Sequence, residues 1–313
     1  MVKTLSLRIV QALALALFVH TICFIMMQML PGDQATQIAA GRYGADSLSI
    51  DIAESVSIEL GLDKPIIEQY WNSLYHLLTL NLGHSLISGE KVIDAITVQL
   101  GYSIYLTAIA FCLSLIIAFP IGIFTGLNAH SKADKLGLLF SVFLKAIPPF
   151  VLGIMLILIF SIQFTLLPPA GYEDFTYMIL PALTLALGLS AVSSRVIRES
   201  MSDVAQSSYF KYAKYKGLSN RVMIKQHGIK NTSIPILAFL ALQSIYLIDG
   251  VVVVEAIFAF PGIGQALVEA IFSRDVPMIQ GTVLVLGLLF VLINLFIDII
   301  SQYLDPRLKS KNA

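Results

Sequence analysis

Ile104–Gly126 reads IYLTAIAFCLSLIIAFPIGIFTG, and Gly281–Ile300 reads GTVLVLGLLFVLINLFIDII. Each run has about the ~20 residues that cross the hydrocarbon core of a bilayer as a helix. At that depth every backbone N–H and C=O must be satisfied inside its own segment, so the spans are helical. The runs are continuous and not alternating, which argues against a membrane barrel. The whole chain agrees: of its 313 residues, 57 % are hydrophobic and 13 % charged, and its mean hydropathy is +0.82. A soluble domain has no means of burying that much apolar sequence. The fold class expected is all-α, a polytopic membrane protein.

Six spans follow from the apolar runs, at about 9–30, 98–127, 137–162, 176–197, 233–256 and 279–303. The start of the chain, Met1–Arg8 followed by apolar residues to Leu30, has the charge pattern of a secretion signal. Its apolar stretch is too long, and no small-residue cleavage site precedes Pro31-Gly32, so a retained first helix is expected. The division expected is 1–97, the first helix with an extracytoplasmic segment of short interfacial helices, and 98–306, a core of five helices.

The net charge is zero, yet its distribution is one-sided. Fifteen of the 20 Lys and Arg fall on the side of both termini and of the segment 198–232; Arg42, Lys64, Lys91 and Arg274 fall on the other, and Lys145 lies within a span. The positive-inside rule then makes both termini and that basic segment cytoplasmic. Acids such as Asp33, Asp51, Glu59 and Glu68 gather in the opposite segment, 31–97. There Ile52, Val56 and Leu60 repeat at helical spacing, Gly61 is placed to end that helix, and Pro65 to start another carrying Trp71, Leu74 and Leu78. Two roles stand for this segment: a lid over the bundle, or a docking surface for a partner.

Between the apolar blocks lies Tyr209-Phe210-Lys211-Tyr212-Ala213-Lys214-Tyr215-Lys216-Gly217. A helix over 202–217 is expected, with Asp203 early and Lys214 and Lys216 late, in keeping with the helix dipole. Gly217 stops it. Tyr209, Tyr212 and Lys216 share one face, a composition that suits a protein contact; attachment to anionic headgroups suits it equally on physics alone.

Ionisable residues inside spans are functional candidates. Lys145, Asp249 and Asp298 are the three here. Lys145 and Asp249 either pair with each other or line a cavity within the membrane, in which Asp249 favours a cationic occupant. The sequence contains no nucleotide-binding loop, dinucleotide fingerprint or zincin motif. Cys23 and Cys112 both fall in apolar runs, and the five His are scattered without ligand spacing. No catalytic residue, metal site or nucleic-acid contact is expected.

Several segments, in order, resemble the permeases of binding-protein-dependent ABC importers, and more closely their peptide/nickel branch. They are Leu30-Pro31-Gly32-Asp33, Leu60–Pro65, Asn81-Leu82-Gly83 with Ser85, Leu180–Thr184, Arg198–Val204, Val253–Gly264 and Leu304–Arg307. Lys211-Tyr212-Ala213 with Gly217, followed by Asn231 and Ile234-Pro235, is similar to that family's Glu-Ala-Ala…Gly…Pro loop. The leading Glu and first Ala of the pattern are Lys211 and Tyr212 here. Leu167–Tyr172 and Arg198–Asp203 resemble the nickel-type members.

The resemblance implies a type I importer permease fold in the inner membrane, pairing with a homologous second permease. It implies two cytoplasmic ATP-binding subunits, which bind ATP and Mg, and an extracytoplasmic solute-binding protein. Tyr209, Tyr212, Ala213, Lys216 and Gly217 become the ATPase-coupling residues. Lys145, Asp249, Glu255, Phe260, Pro261 and Gly262 become candidates for the translocation path or gate. The subunit itself is not an enzyme, and its cargo is short peptides, or nickel free or chelated. The rival classes are a secondary transporter, for which no paired broken helices or repeat are evident, and a membrane scaffold or sensor that uses 202–217 only to bind a partner.

Overall fold

A computed structural model describes residues 2–29, 32–44, 49–79, 81–224, 232, 236, 239, 243 and 250–304. Among these the regular elements are helices, and the nearest approach to a sheet is an isolated antiparallel bridge between His84 and Lys91. In chain order they are α1 (Val2–Met29), α2 (Gln34–Tyr43), α3 (Ile50–Leu60), α4 (Ile66–Leu78), α5 (Val92–Leu127), α6 (Lys132–Ala146) and α7 (Pro149–Leu156). After a π-helical extension of α7 over Ile157–Gln163 come α8 (Thr176–Gln206), α9 (Ser208–Tyr215), α10 (Asn220–Met223), α11 (Ile263–Ser273) and α12 (Val276–Leu304).

Four helical stretches are long and apolar enough to cross a membrane: Val10–Met29, Val92–Leu127, Thr176–Gln206 and Val276–Ile299. Leu13, Phe18, Ile116 and Phe296 stand exposed on them. Such surfaces suit hydrocarbon, where helical backbone is already satisfied. Pro120 and Pro181 sit inside α5 and α8, as membrane helices tolerate.

The span expected over 137–162 is not a single straight helix. It is α6 and α7 with its extension, bent by 98°. The cause is Pro148-Pro149. A residue before proline is pushed out of the helical region, and Ile147 (φ −80°, ψ 122°) and Pro148 (φ −59°, ψ 144°) are both extended. Pro149 then opens α7, where its missing N–H costs nothing. The span expected over 233–256 falls mostly outside the described residues, as do Asn231, Ile234-Pro235 and Asp305–Arg307.

Contacts divide the chain into two units. One comprises Met1–Ser103 and Pro261–Leu292. Its short helices form for local reasons: the carboxylate of Asp33 caps α2 by accepting from Thr36 N–H, and Ser49 caps α3 by accepting from Ile52 N–H. Gly61 ends α3 in the left-handed region, φ +65°, and Pro65 precedes α4. Val56 of α3 packs on Ile38 and Ala39 of α2, with Ile52 and Leu60 at the edge. Leu74 and Leu77 bury the inner face of α4, while Trp71 is exposed.

A second cluster joins Val92 and Ile96 to Ile263, Ala266, Met278 and Ile279. Buried Asp275 fastens the loop before α5: it accepts from Ser85 Oγ, from Leu86 N–H at 3.1 Å and from Met278 N–H at 3.3 Å. Residues 261–292 thus pack with the N-terminal residues.

The other unit comprises Ile104–Phe260 and Ile293–Ala313. Within it α5 approaches α8 closely, which needs glycine. A Cβ on Gly122 would lie 2.6 Å from Ile197 Cβ, and one on Gly126 would lie 2.6 Å from the Arg198 carbonyl oxygen. Ala118, Ile197 and Ile236 fill the space beside them. On the α6 side, Ser141 Oγ meets Ser194 Oγ at 3.2 Å.

Candidate functional site

The helix expected over 202–217 starts six residues late. Ser202–Gln206 complete α8, and Ser207 separates the two helices with extended backbone, φ −64° and ψ 151°. Its N–H donates to the Val204 carbonyl at 3.1 Å, and its Oγ donates to the same oxygen. Its own carbonyl accepts from Lys211 N–H at 3.1 Å, while Oγ lies 3.4 Å from Phe210 N. A serine that bonds its neighbours' backbone both ends one helix and caps the next. Asp203 therefore belongs to α8 and does not act on the dipole of α9.

Eight residues form α9, and its two faces differ. Phe210 and Ala213 are buried against Met201, Val204 and Met223, with Ile123 and Leu127 alongside. Tyr209, Tyr212 and Tyr215 face outward, Tyr215 being 88 % exposed. The Lys216 ammonium sits 4.8 Å from the centre of the Tyr212 ring, a cation–π contact. Beyond the helix, Gly217 adopts φ +78° and Leu218 N–H reaches back to the Ala213 carbonyl at 3.3 Å. A Cβ on Gly217 would touch nothing within 4 Å. Its requirement is the backbone conformation, not space.

Of the coupling residues read from sequence, Tyr209, Tyr212 and Lys216 lie on the exposed ridge and Gly217 ends the helix. Ala213 is inside, anchoring the ridge without being part of it. Sequence reasoning missed Phe210 as the second anchor and Tyr215 as the third ring; continuing the i, i+3 step from Tyr212 would have found Tyr215.

A cavity of 530 Å³ lies in the same unit, at the bend between α6 and α7. Lys145, in the last turn of α6, lines it together with Pro148, Pro149, Thr184, Gly188 and Gln243. A Cβ on Gly188 would meet nothing within 4 Å, so that wall of α8 is open. Gln243 is buried and held: its Nε2 donates to the Leu189 carbonyl at 2.9 Å, and its Oε1 accepts from Ser193 Oγ at 3.1 Å. Gln243, a polar residue in an apolar run, was the signal sequence reading passed over. Asp249 lies outside the described residues.

The other path candidates occupy packed positions, and the described lining of this cavity contains none of them. Glu255 and Phe260 are fully buried. Phe260 N–H donates to the Glu255 carbonyl at 2.9 Å, and its ring meets Tyr172 edge-on at 5.2 Å. The Phe258 carbonyl accepts from Gly171 N–H at 2.7 Å, and Ala259 between them has φ +45°. The turn 258–260 is thereby fixed to the loop 167–172. In the other unit, Pro261 is half-buried and Gly262 caps α11, whose Ile263 N–H donates to Ser103 Oγ at 2.9 Å.

Long apolar helices, a short anchored helix with an exposed aromatic ridge, and a cavity at the bend between α6 and α7 describe a polytopic helical protein. Comparison with known proteins agrees. The family "Binding-protein-dependent transport system inner membrane component" matches residues 118–310, and "Binding-prot-dependent transport system membrane comp, N-term" matches 1–107. The glutathione transport system permease protein GsiC of Pectobacterium atrosepticum is 36 % identical over 295 residues, 94 % of this chain and 95 % of that one. Its counterpart from Salmonella typhimurium is 33 % identical over 295 residues, with the same coverage. A crystal structure of an amino acid ABC transporter with histidines covers 65 % of this chain and 93 % of its own, at 17 % identity and TM-score 0.48.

The chain belongs to the family of inner membrane components of binding-protein-dependent transport systems. It is a permease subunit of an ABC importer, not an enzyme, and works with a solute-binding protein and ATPase subunits. The secondary-transporter and scaffold readings fall with that result.

Proposed function

We propose that this permease carries short peptides, that it pairs with a homologous second permease to enclose the path, and that α9 seats on an ATPase subunit. The observation that carries the cargo is the shared description of relatives 33–36 % identical across 94 % of this chain: they transport glutathione, a tripeptide. The 530 Å³ cavity is of a size suited to such a molecule, and Lys145, Thr184 and Gln243 supply polar groups along it.

In this reading both termini and α9 are cytoplasmic, six helices span the membrane, and ATP with Mg is held by the partner subunits. ATP closes the ATPase pair, which favours one arrangement of the permease bundle through contacts at α9. Only such a difference in contact between two states moves the equilibrium. A binding protein delivers peptide on the opposite side.

Uptake of labelled glutathione and of Ala-Ala, compared between cells with and without this chain, tests the proposal. Loss of both uptakes on deletion is expected. Unchanged peptide uptake with loss of nickel uptake transfers the cargo to the metal and ends the peptide reading.

A further inference from the structure

The polar groups around the 530 Å³ cavity at the bend between α6 and α7 are unequal. Its described lining has three polar side chains: Lys145, Thr184 and Gln243. Thr184 is 1 % exposed, and its Oγ1 donates to the Leu180 carbonyl at 2.8 Å. Gln243 is 5 % exposed, with Nε2 and Oε1 already bonded to Leu189 and Ser193. Both spend their polar atoms on α8.

Lys145 is the opposite case. It is exposed, and its ammonium makes no ion pair or hydrogen bond with a described residue. It stands in the last turn of α6. Pro148 and Pro149 have no N–H, so the carbonyls of Leu144 and Lys145 lack the helical donor four residues on. That negative helix end favours a cation. The lysine thus has a local reason for its place, and its head is uncommitted.

The same cavity is walled by Gly188 and Val192. They straddle the middle of Thr176–Gln206, a stretch long and apolar enough to cross a membrane. An ammonium beside such a stretch is costly, and it marks a route for a polar solute.

We infer that the Lys145 ammonium binds a carboxylate of the cargo and tilts the path toward peptides of net negative charge. The inference rests on the peptide reading above and names the class of peptide. Every free peptide brings one carboxylate. A Glu or Asp side chain adds a second acceptor for the three N–H donors of the ammonium. A Lys side chain brings a like charge into a largely apolar cavity, where repulsion is stronger than in water. Asp249 precedes the lining residue Gly250 in the chain and lies outside the described residues. Acting alone it would favour the reverse order, so the two charges predict opposite selectivity.

The test is competitive uptake of labelled Ala-Glu, Ala-Ala and Ala-Lys by cells that carry the complete transporter and no other peptide importer. Ratios between peptides taken up by the same cells do not depend on how much permease is inserted. The binding protein's own preference cancels between parent and variant. Lys145→Met should lower the Ala-Glu to Ala-Lys ratio about tenfold, the lower end for a hydrogen bond to a charged group. Lys145→Arg should keep the parent ratio, and the fall should recur when Lys145→Met is made in an Asp249→Asn background. A ratio unchanged by Lys145→Met, or three uptakes that fall in equal proportion, overturns the inference and leaves Lys145 a helix-end residue. Disappearance of the fall in the Asp249→Asn background would make Lys145 a counter-charge to Asp249, and overturns it equally. Parent cells that take up none of the three end the peptide reading itself, a result distinct from an unaltered ratio, and this inference ends with it.

Discussion

Arg198 of α8 holds both carboxylate oxygens of Asp134 in the first turn of α6, with Nε 2.8 Å from Oδ1 and a terminal guanidinium nitrogen on Oδ2. The Asp134 side chain is 2 % exposed and that of Arg198 21 %. Oδ2 also accepts from His130 N–H at 2.8 Å, while Ser131 Oγ accepts from Asp134 N–H at 3.1 Å. This bidentate pair closes the α6–α8 contact at Arg198, the first residue of the motif Arg198–Val204, the stretch that leads to α9. The pair thus sets the base from which α9 projects.

Removing one partner of such a pair strands the other charge, which costs about 3–5 kcal/mol when both are buried. Since Arg198 retains some solvent, Asp134→Ala should cost about 3 kcal/mol, the lower end of that range. Replacing both, Asp134→Leu with Arg198→Leu, should restore most of the loss. Thermal unfolding in detergent measures this. Strictly additive losses for the double variant would show that the two side chains are not coupled.

At Gly217 the demand is conformational. Gly217→Ala places an L residue at φ +78°, which costs roughly 1–2 kcal/mol, and should weaken coupling only partly. Gly217→Pro forces φ near −65° and should redirect the chain after α9. Membrane insertion is expected to persist while ATP hydrolysis no longer drives uptake. Transport by the proline variant at the parent rate would remove this helix from the coupling mechanism.

The two faces of α9 should separate in mutation. Tyr212→Ala and Tyr215→Ala remove exposed rings and leave the Phe210–Ala213 anchor intact; each should weaken ATPase association, by about 2 kcal/mol where the ring is a hot spot. Ala213→Asp acts differently. It buries a carboxylate among the apolar side chains of Met201, Val204, Phe210 and Met223, so α9 should detach and the chain lose stability as well as coupling. Co-purification of the ATPase, read beside Tm, distinguishes them. A Tyr215→Ala variant that lowers Tm as much as Ala213→Asp contradicts the assignment of faces.

How far these features can be read in advance depends on the range of the interaction that sets them. Apolar runs, the αL stop at Gly61 and the cap at Ser49 are local, and the residues announce them. The 98° bend is local too, but hydropathy is blind to it: Pro148-Pro149 sits within a long apolar run and changes only backbone angles. Ser207 was hidden for a similar reason, since one serine among Gln206, Ser207 and Ser208 does not declare which carbonyl it will bond. The Asp134–Arg198 pair joins residues 64 apart, and no periodicity encodes such a partnership. Motif resemblance covered part of that gap by pointing to α9, though not to which of its faces is turned inward.

The cap of α2 gives a pH dependence. Hydrogen bonds from the Thr36 hydroxyl and N–H hold the Asp33 carboxyl below its ordinary range. A carboxylate whose pKa is lowered by folding stabilises the fold above its unfolded value, near 3.9, and loses that contribution as pH falls through the folded value. Hydrogen exchange over Gln34–Tyr43 should therefore be unchanged from pH 8 to pH 5 after correction for intrinsic rates, then accelerate below pH 4. Asp33→Asn should keep most of the protection and lose the pH step. Persistence of the step in that variant would place its origin elsewhere.

Gly126→Ala tests one of the two tightest approaches of α5 to α8. The added Cβ would lie 2.6 Å from the Arg198 carbonyl oxygen, 2.8 Å from Met201 Cβ and 3.2 Å from Ser202 N. Two of those atoms are backbone and the third is a Cβ, so no flexible side chain can yield. The helices must part, and overpacking of this kind costs about 1–3 kcal/mol. Because the carbonyl that is struck belongs to Arg198, the displacement should also loosen the grip on Asp134. Gly126→Ala and Asp134→Ala should accordingly destabilise less together than the sum of their separate effects. Full additivity in thermal unfolding would mean that α5 and the α6–α8 pair respond independently, and that the base of α9 is not the single packed element described above.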